Sequence, residues 1–298
     1  MSEIVTQRYD FVYLFDCQDG NPNGDPDADN APRFDPETFQ GLVSDVCLKR
    51  KIRDYVFLRQ SASGEVTPGY DIFVMSGHTL ESRQKMPYDH LKLTPKTAGR
   101  KEIEQARAWM CQHFFDVRVF GAVMSTTDFN CGQVRGPVQV TFARSIDRIF
   151  STEHAITRVA YTKEQKAEEK KGNTEMGRKH TVAYGLYRGH GFVNAAFAKQ
   201  TGFTDEDLAL LWKALGGMWE IDRSAARGLM APRGLYVFRH DSALGEAPAH
   251  FLFERVQVNC KDGVETPRKF SDYSITVEKD NLPAGVELLM PLAAAAQA

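Results

Sequence analysis

The residues best suited to chemistry in this sequence are cations. Lys49, Arg50, Lys51 and Arg53 crowd into five positions, although acids slightly outnumber bases over the whole chain, 39 against 37. The cluster is therefore a local device and does not follow from a basic composition. At 3.6 residues per turn, Leu48, Ile52, Tyr55 and Val56 fall on one apolar stripe, Lys49, Arg50 and Arg53 share a neighbouring arc, and Lys51 points away. One face then packs on a core while the adjacent edge offers three cations to a common target. A row of phosphates is the simplest such target, and a solvated helix face is the plain alternative.

Further cations stand among small residues. Ile221–Gly234 places Arg223, Arg227 and Arg233 in a loop whose glycines and alanines permit close backbone approach, and arginines fork onto phosphate oxygens. Capping of the preceding helix is the alternative there. Val119–Met124 and Cys131–Val138, which holds Arg135, have the same glycine-plus-arginine character. Arg178, Lys179 and His180 form a third basic group; His180 serves either as a ribonuclease base or as part of a basic edge. Arg188–Ala195 matches the RRM octamer at five of seven specified positions, but His190 and Ala195 replace two base-stacking aromatics.

Enzymatic signatures are weak. Asp25, Asp27 and Asp29 alternate as in a calcium loop, yet Asn30 and Pro36 occupy the positions that need glycine and glutamate. No nucleophile elbow, HExxH or P-loop occurs. A metal-dependent endoribonuclease using acids of residues 16–35, with His180, is the catalytic alternative; no dedicated metal site or cofactor is expected.

These groups need elements to position them. Arg8–Cys17 reads as a buried strand. It ends in a loop, Asp16–Glu37, with seven acids, one base and four prolines. A basic helix is expected over Thr38–Leu58, a strand over Tyr70–Met75 and a helix over Lys101–Phe115. Val134–Phe142 reads as strand or buried helix. The β-prone arms Ala155–Tyr161 and Arg178–Tyr184 flank a charged tip, which suggests a projecting hairpin, with a solvated helix-turn as the alternative. Thr204 and Asp207 form a capping box for a helix with the buried stripe Leu208, Leu211, Trp212 and Leu215, ended by Gly216-Gly217. Gly234–Arg239 and His250–Asn259 read as strands. The order is that of an α+β fold, compatible with a split βαβ core carrying insertions.

Composition sets the outer bounds. The 298 residues suffice for one large domain or two ordinary ones, and 42% hydrophobic with 11% aromatic residues suits a globular protein. Five scattered cysteines without a CxxC pair fit a reducing cytoplasm and suggest no disulfide framework or zinc site. No secretory signal or membrane span is expected.

Six segments in order, Asn21-Pro-Asn-Gly-Asp-Pro-Asp27, Ser44-Asp-Val-Cys-Leu-Lys-Arg-Lys-Ile-Arg53, Phe120-Gly-Ala-Val-Met124, Gly132-Gln-Val-Arg-Gly-Pro-Val138, Met176-Gly-Arg-Lys-His180 and Asp222-Arg-Ser-Ala-Ala-Arg-Gly228, carry a resemblance. Together the sequence resembles the Cas-seven family of CRISPR effector proteins, specifically the type I-C (Csd-type) backbone subunit of Cascade. The resemblance implies a single RRM-like domain over residues 1–298: a ferredoxin-like split βαβ palm, a helical finger insertion over 60–130 and a β-hairpin thumb over 151–184. It implies a non-catalytic subunit that polymerises head to tail along a CRISPR guide RNA and presents the spacer to target DNA in antiviral defence. The implied partners are the guide RNA, the target strand through it, further copies of the chain, and Cas-five and Cas-eight type subunits. Carried over by position, Lys49, Arg50 and Arg53 are spacer-phosphate contacts. Arg135, Arg158, Arg178, Lys179, His180, Arg223 and Arg227 complete the RNA-binding set, with Met176 as an apolar wedge in the thumb.

Overall fold

The computed structural model describes residues 2–62, 67–158 and 175–292. Its organising element is the strand Tyr9–Gly20, flanked antiparallel by Glu175–Val193 and by Leu229–His240. From one edge to the other, the main sheet runs Val286–Leu289, Leu229–His240, Tyr9–Gly20, Glu175–Val193, Ala143–Arg148 and Gln40–Val43. Two helices, Asp45–Ala62 and Asp205–Ile221, cover one face.

The uninterrupted apolar character of the central strand follows from burial on both sides. Phe11, Tyr13, Phe15 and Cys17 face the helices, in one core with Leu48, Ile52, Val56, Leu211, Leu215 and Trp219. Leaving water contributes about 1.5–3 kcal/mol for each such large aliphatic or aromatic side chain. Two polar side chains inside satisfy each other: Trp219 Nε1 donates to the Tyr13 hydroxyl, which donates to the Leu215 carbonyl, both at 2.8 Å. Val12 and Leu14 face the other way, against Tyr236, Phe238, Leu252, Phe253 and Val256. That second layer is the helix Ala249–Glu254 and the strand pair Val256–Cys260 and Tyr273–Val277.

Several elements differ from the sequence reading, each for a tertiary reason. The basic helix starts at Asp45, not Thr38, because Gln40–Val43 pairs with Ala143–Arg148 as an edge strand. Tyr70–Met75 is not a strand; the Phe73 and Val74 amides instead donate to the Asp116 carboxylate at 2.7 and 3.0 Å. Residues 250–254 are helical and only Val256–Cys260 is extended. The capping box of Thr204 and Asp207 is present, but the helix continues through Gly216-Gly217 to Ile221. A Cβ at Gly216 would come 2.7 Å from Leu292 Cδ2, and one at Gly217 would come 2.6 Å from Tyr55 Cε2. The pair serves close packing and does not terminate the helix.

Between the first helix and the sheet's outer strands, the helices Leu80–Leu91 and Arg100–His113 enclose a separate core of Phe73, Tyr88, Ala106, Trp109, Met110 and Phe114. The strand Gly121–Val123 then pairs with Gln133–Arg135. At this crossing the backbones nearly touch: a Cβ on Gly136 would lie 2.3 Å from the Gly121 amide nitrogen and 2.2 Å from the Phe120 carbonyl carbon. Backbone cannot rotate away as a side chain can. Gly136→Ala is therefore expected to destabilise the protein by about 1–3 kcal/mol, and a urea midpoint equal to that of the parent would refute this account.

At the far end the long strand leaves the sheet. Its first residues pair with Ser151–Arg158, in register from Glu175–Arg158 to Val182–Ser151. The two arms thus form an antiparallel pair projecting beyond Gly20. Residues 159–174, where the expected charged tip lies, are outside the described residues, as is the Arg158 side chain. Among the described residues no helix is long and apolar enough to cross a membrane.

Candidate nucleic-acid interface

The cations of the basic helix divide between two surroundings. Arg53 Nε lies 2.7 Å from Asp116, whose side chain is 1% exposed, and its guanidinium sits 5.2 Å from the Phe120 ring. Lys49 pairs with Asp45 at 3.0 Å and approaches the same ring at 5.8 Å. Lys51 is buried: its side chain is 4% exposed and its ammonium lies 2.7 Å from Asp222. Arg50 remains, 68% exposed, with a loose 3.7 Å contact to Asp54 as its one ion pair among the described residues.

Asp222 connects the helix to the arginine loop. It also lies 3.2 Å from Arg227 Nε, while Arg227 Nη1 donates to the Asn21 and Pro22 carbonyls at 3.0 and 3.1 Å. The Asn21–Asp25 turn is latched to the helix start, with Asn23 Oδ1 accepting from both the amide and the hydroxyl of Ser44 at 2.9 Å. Burial pushes the Cys47 thiol above its ordinary value, and nearby Arg227, Lys51 and Arg50 pull the other way. Helix, turn and loop therefore converge on one end of the sheet.

Two glycines make that convergence possible. A Cβ on Gly20 would fall 1.9 Å from the Arg227 carbonyl oxygen; Gly228, at φ +62°, leaves 2.3 Å to the Gln18 carbonyl oxygen. Both contacts are backbone, so larger residues would lift the arginine loop off the central strand. The sequence showed the small residues but not what they approach.

The projecting strand adds Arg178, 68% exposed and 3.2 Å from Glu153, together with half-buried Lys179 and His180. Among the described residues His180 Nε2 has no hydrogen-bond partner, and Asp29 stands 3.9 Å away. Met176, 76% exposed, faces solvent near the outer end of the strand. Arg223 pairs with Glu220 and keeps 41% of its side chain exposed. Arg135 is placed elsewhere. It stacks 4.4 Å over Phe197, in the helix that follows Val193, which pairs with Tyr9. Arg227 lies beyond Gly20, at the opposite end of the same strand.

Acids of residues 16–37 have structural partners of their own. Asp16 accepts from Arg233 at 2.7 Å and from the Tyr184 hydroxyl at 2.8 Å, Asp25 lies 3.3 Å from Arg33, and Asp35 is held by Arg144 at 2.7 Å. Among the described residues no three His, Cys, Asp or Glu side chains are placed to hold a metal ion.

The octamer-like segment is covered by the chain itself. Arg188 donates to the Val256 carbonyl at 2.7 Å and to that of Phe253, and His190 stacks on Phe253 at 4.5 Å. Burial lowers the His190 pKa to about 4, helped by the adjacent Arg188 charge. The unfolded chain takes up this proton near the ordinary value of 6.5, and the folded chain only near 4. Stability from this site is thus complete above about 6.5 and lost as pH falls towards 4. His190→Phe should flatten the fall in urea-unfolding free energy over that window; an unchanged slope would contradict it.

The chain belongs to the Cas7 family, since a family model of CRISPR-associated protein Cas7 matches residues 7–278. A curated relative, CRISPR-associated protein Cas7 of Haloferax volcanii, is 28% identical over 230 residues, covering 70% of this chain and 64% of its own length. The chain thus spans less than two thirds of that relative. Among solved structures, it is similar to a chain of a pre-nicking CRISPR RNA-guided surveillance complex (12% identity, 78% of each chain, TM-score 0.46). It is also similar to one in a further CRISPR RNA-guided surveillance complex (15% identity, 76% of this chain and 68% of that one, TM-score 0.43).

Proposed function

We propose that this chain is a non-catalytic backbone subunit of a type I-C Cascade, binding guide RNA through its sugar-phosphate track and stacking head to tail along it. In this reading the sheet with its two helices is an RRM-like palm. All four of its core strands alternate in direction in the order Leu229–His240, Tyr9–Gly20, Glu175–Val193, Ala143–Arg148, with one helix after the first strand and one before the last, as split βαβ requires. The helical segment with its own core is the finger, and the paired arms Ser151–Arg158 and Glu175–Val182 are the base of the thumb.

One observation carries the proposal: the basic helix, the Asn21–Asp25 turn and the Asp222–Gly228 loop meet at the end of the sheet from which the cationic strand projects. Arg50, Arg178 and Arg223 present exposed guanidinium groups there. The face that reads bases in RRM proteins is filled by Phe253 and Arg188. Gripping phosphates while leaving bases unread suits a protein that accepts any spacer. Target DNA, Cas-five and Cas-eight type subunits and further copies of the chain are the partners this role requires, and the cytoplasm its setting.

About three phosphates neutralised per copy give a salt slope near −2 for single-stranded RNA. Titrating guide-length RNA at several salt concentrations, with imaging of the products, should show that slope and RNA-dependent oligomers. Salt-independent binding, or an identical oligomeric state with and without RNA, would overturn the proposal.

A further inference from the structure

A cavity lies at the opposite end of the sheet from the projecting cationic strand. The helix Arg100–His113, the strand Gln133–Arg135 and the helix Ala195–Thr201 line a space of about 370 Å³ there. That is the size of a small-molecule site and far more than a water needs. Arg107 and Arg135 line it from the first helix and the strand, both exposed, and neither has a carboxylate partner among the described residues. Arg135 is held 4.4 Å over the Phe197 ring, which steadies the guanidinium and leaves the N–H groups at its edge free to bind. Thr201 lines the third wall; it is 6% exposed, and its Oγ1 has no hydrogen-bond partner among the described residues. Buried hydroxyls are ordinarily bonded, so an unpaired one at a cavity wall is a vacancy for a ligand oxygen. Glu104 also lines the cavity, and Arg100 takes up its carboxylate at 3.1 Å.

The arrangement selects among anions. A carboxylate presents two coplanar oxygens, which one arginine fork satisfies by itself. Here two guanidinium groups and a hydroxyl arrive from three separate elements, and donors converging from different directions match the non-coplanar oxygens of a phosphate. The space exceeds what a phosphate alone would fill. Gln133 and Gln200, at its walls, carry amides that offer both donors and acceptors to a sugar or a base edge. Placement separates this cavity from the proposed RNA track. The 12-residue strand Tyr9–Gly20 runs between the two, a span of roughly 36 Å.

We propose that this cavity binds a phosphate monoester of nucleotide size, its phosphate held by Arg107, Arg135 and the Thr201 hydroxyl. Its source is a free mononucleotide or the phosphorylated 5′ end of a strand, since both present the same group. The site is additional to the contacts of the RNA-binding reading and does not depend on them. A ligand seated here bridges three elements of the folded chain, so it raises the melting temperature.

The test titrates the full chain with uridine 5′-monophosphate and with uridine by calorimetry, and with guide-length RNA carrying a 5′-phosphate or a 5′-hydroxyl by mobility shift. The nucleotide should bind at one site per chain and raise the melting temperature, and uridine should do neither. Arg107→Met and Arg135→Met should each weaken the nucleotide at least tenfold. Thr201→Val should weaken it too, with the urea midpoint unchanged or raised, because that substitution removes a buried hydroxyl that has no partner. Arg107→Met should bind 5′-hydroxyl RNA as the parent does. Conversely, Arg50→Glu with Arg178→Glu and Arg223→Glu should keep the nucleotide.

If the mononucleotide does not bind but a 5′-phosphate tightens RNA binding in the parent and not in Arg107→Met, the site belongs to a strand end. Equal binding of uridine and its monophosphate, or a nucleotide affinity that Arg107→Met leaves unchanged, overturns the proposal. So does the absence of nucleotide binding together with equal affinity for the two RNA ends. A parent that takes the nucleotide but no RNA overturns the RNA-binding reading alone.

Discussion

Arg118→Ala is expected to cost the fold about 3–5 kcal/mol, the range for stripping one partner from a buried ion pair. Arg118 forks onto Asp207 through Nε and Nη2 at 2.8 and 2.7 Å, and the two side chains are 8% and 1% exposed. Its remaining nitrogen, Nη1, donates to the Cys111 carbonyl at 2.8 Å, close to the end of helix Arg100–His113. Asp207 is also the acid of the Thr204 capping box. One guanidinium therefore ties the helices Arg100–His113 and Phe115–Phe120 to the start of the helix Asp205–Ile221. Removing it leaves a desolvated carboxylate without its counter-charge, which is why the cost exceeds that of a surface pair by several-fold. Urea unfolding measures the loss directly. A change below about 1 kcal/mol would mean that water reaches Asp207 and that the two layers are held by apolar contact alone.

The second large effect concerns binding. Reversing Arg50, Arg178 and Arg223 to glutamate together should weaken guide-length RNA binding at least a hundredfold near physiological salt and flatten the salt slope from about −2 towards zero. These three side chains are exposed and their ion pairs lie at the surface; the folded state loses little when they change. Arg53 makes the instructive contrast. Its charge is already matched by buried Asp116, which also accepts two backbone amides. Arg53→Met should therefore lower the unfolding free energy while leaving the salt slope nearly intact. Were the triple reversal to bind RNA as the parent does, the end of the sheet would not be the RNA track. Were Arg53→Met to flatten the slope without loss of stability, the division between structural and binding cations would be wrong.

How far the chain could be read without its structure depended on how local each cause was. Three features were legible because their causes lie within a few residues. The two-sided burial of Tyr9–Gly20 shows in its unbroken apolar run, the start of helix Asp205–Ile221 in the spacing of Thr204 and Asp207, and the basic helix in the period of Leu48, Ile52 and Val56. The six ordered motifs added the family. Where the cause was distant, local pattern misled: Gly216-Gly217 looks like a helix stop because Tyr55 and Leu292, which need the space, lie far away in sequence.

The amino-acid order alone determined which cations exist and that they are concentrated; tertiary structure decided which of them are free. Asp116 reaches Arg53 across 63 positions, and Asp222 claims both Lys51 and Arg227. Helical periodicity contains no information about those carboxylates, because ion pairing falls off with distance through space and not with separation along the chain. The same holds for the covered octamer-like strand, whose availability was settled by Phe253 folding back over His190.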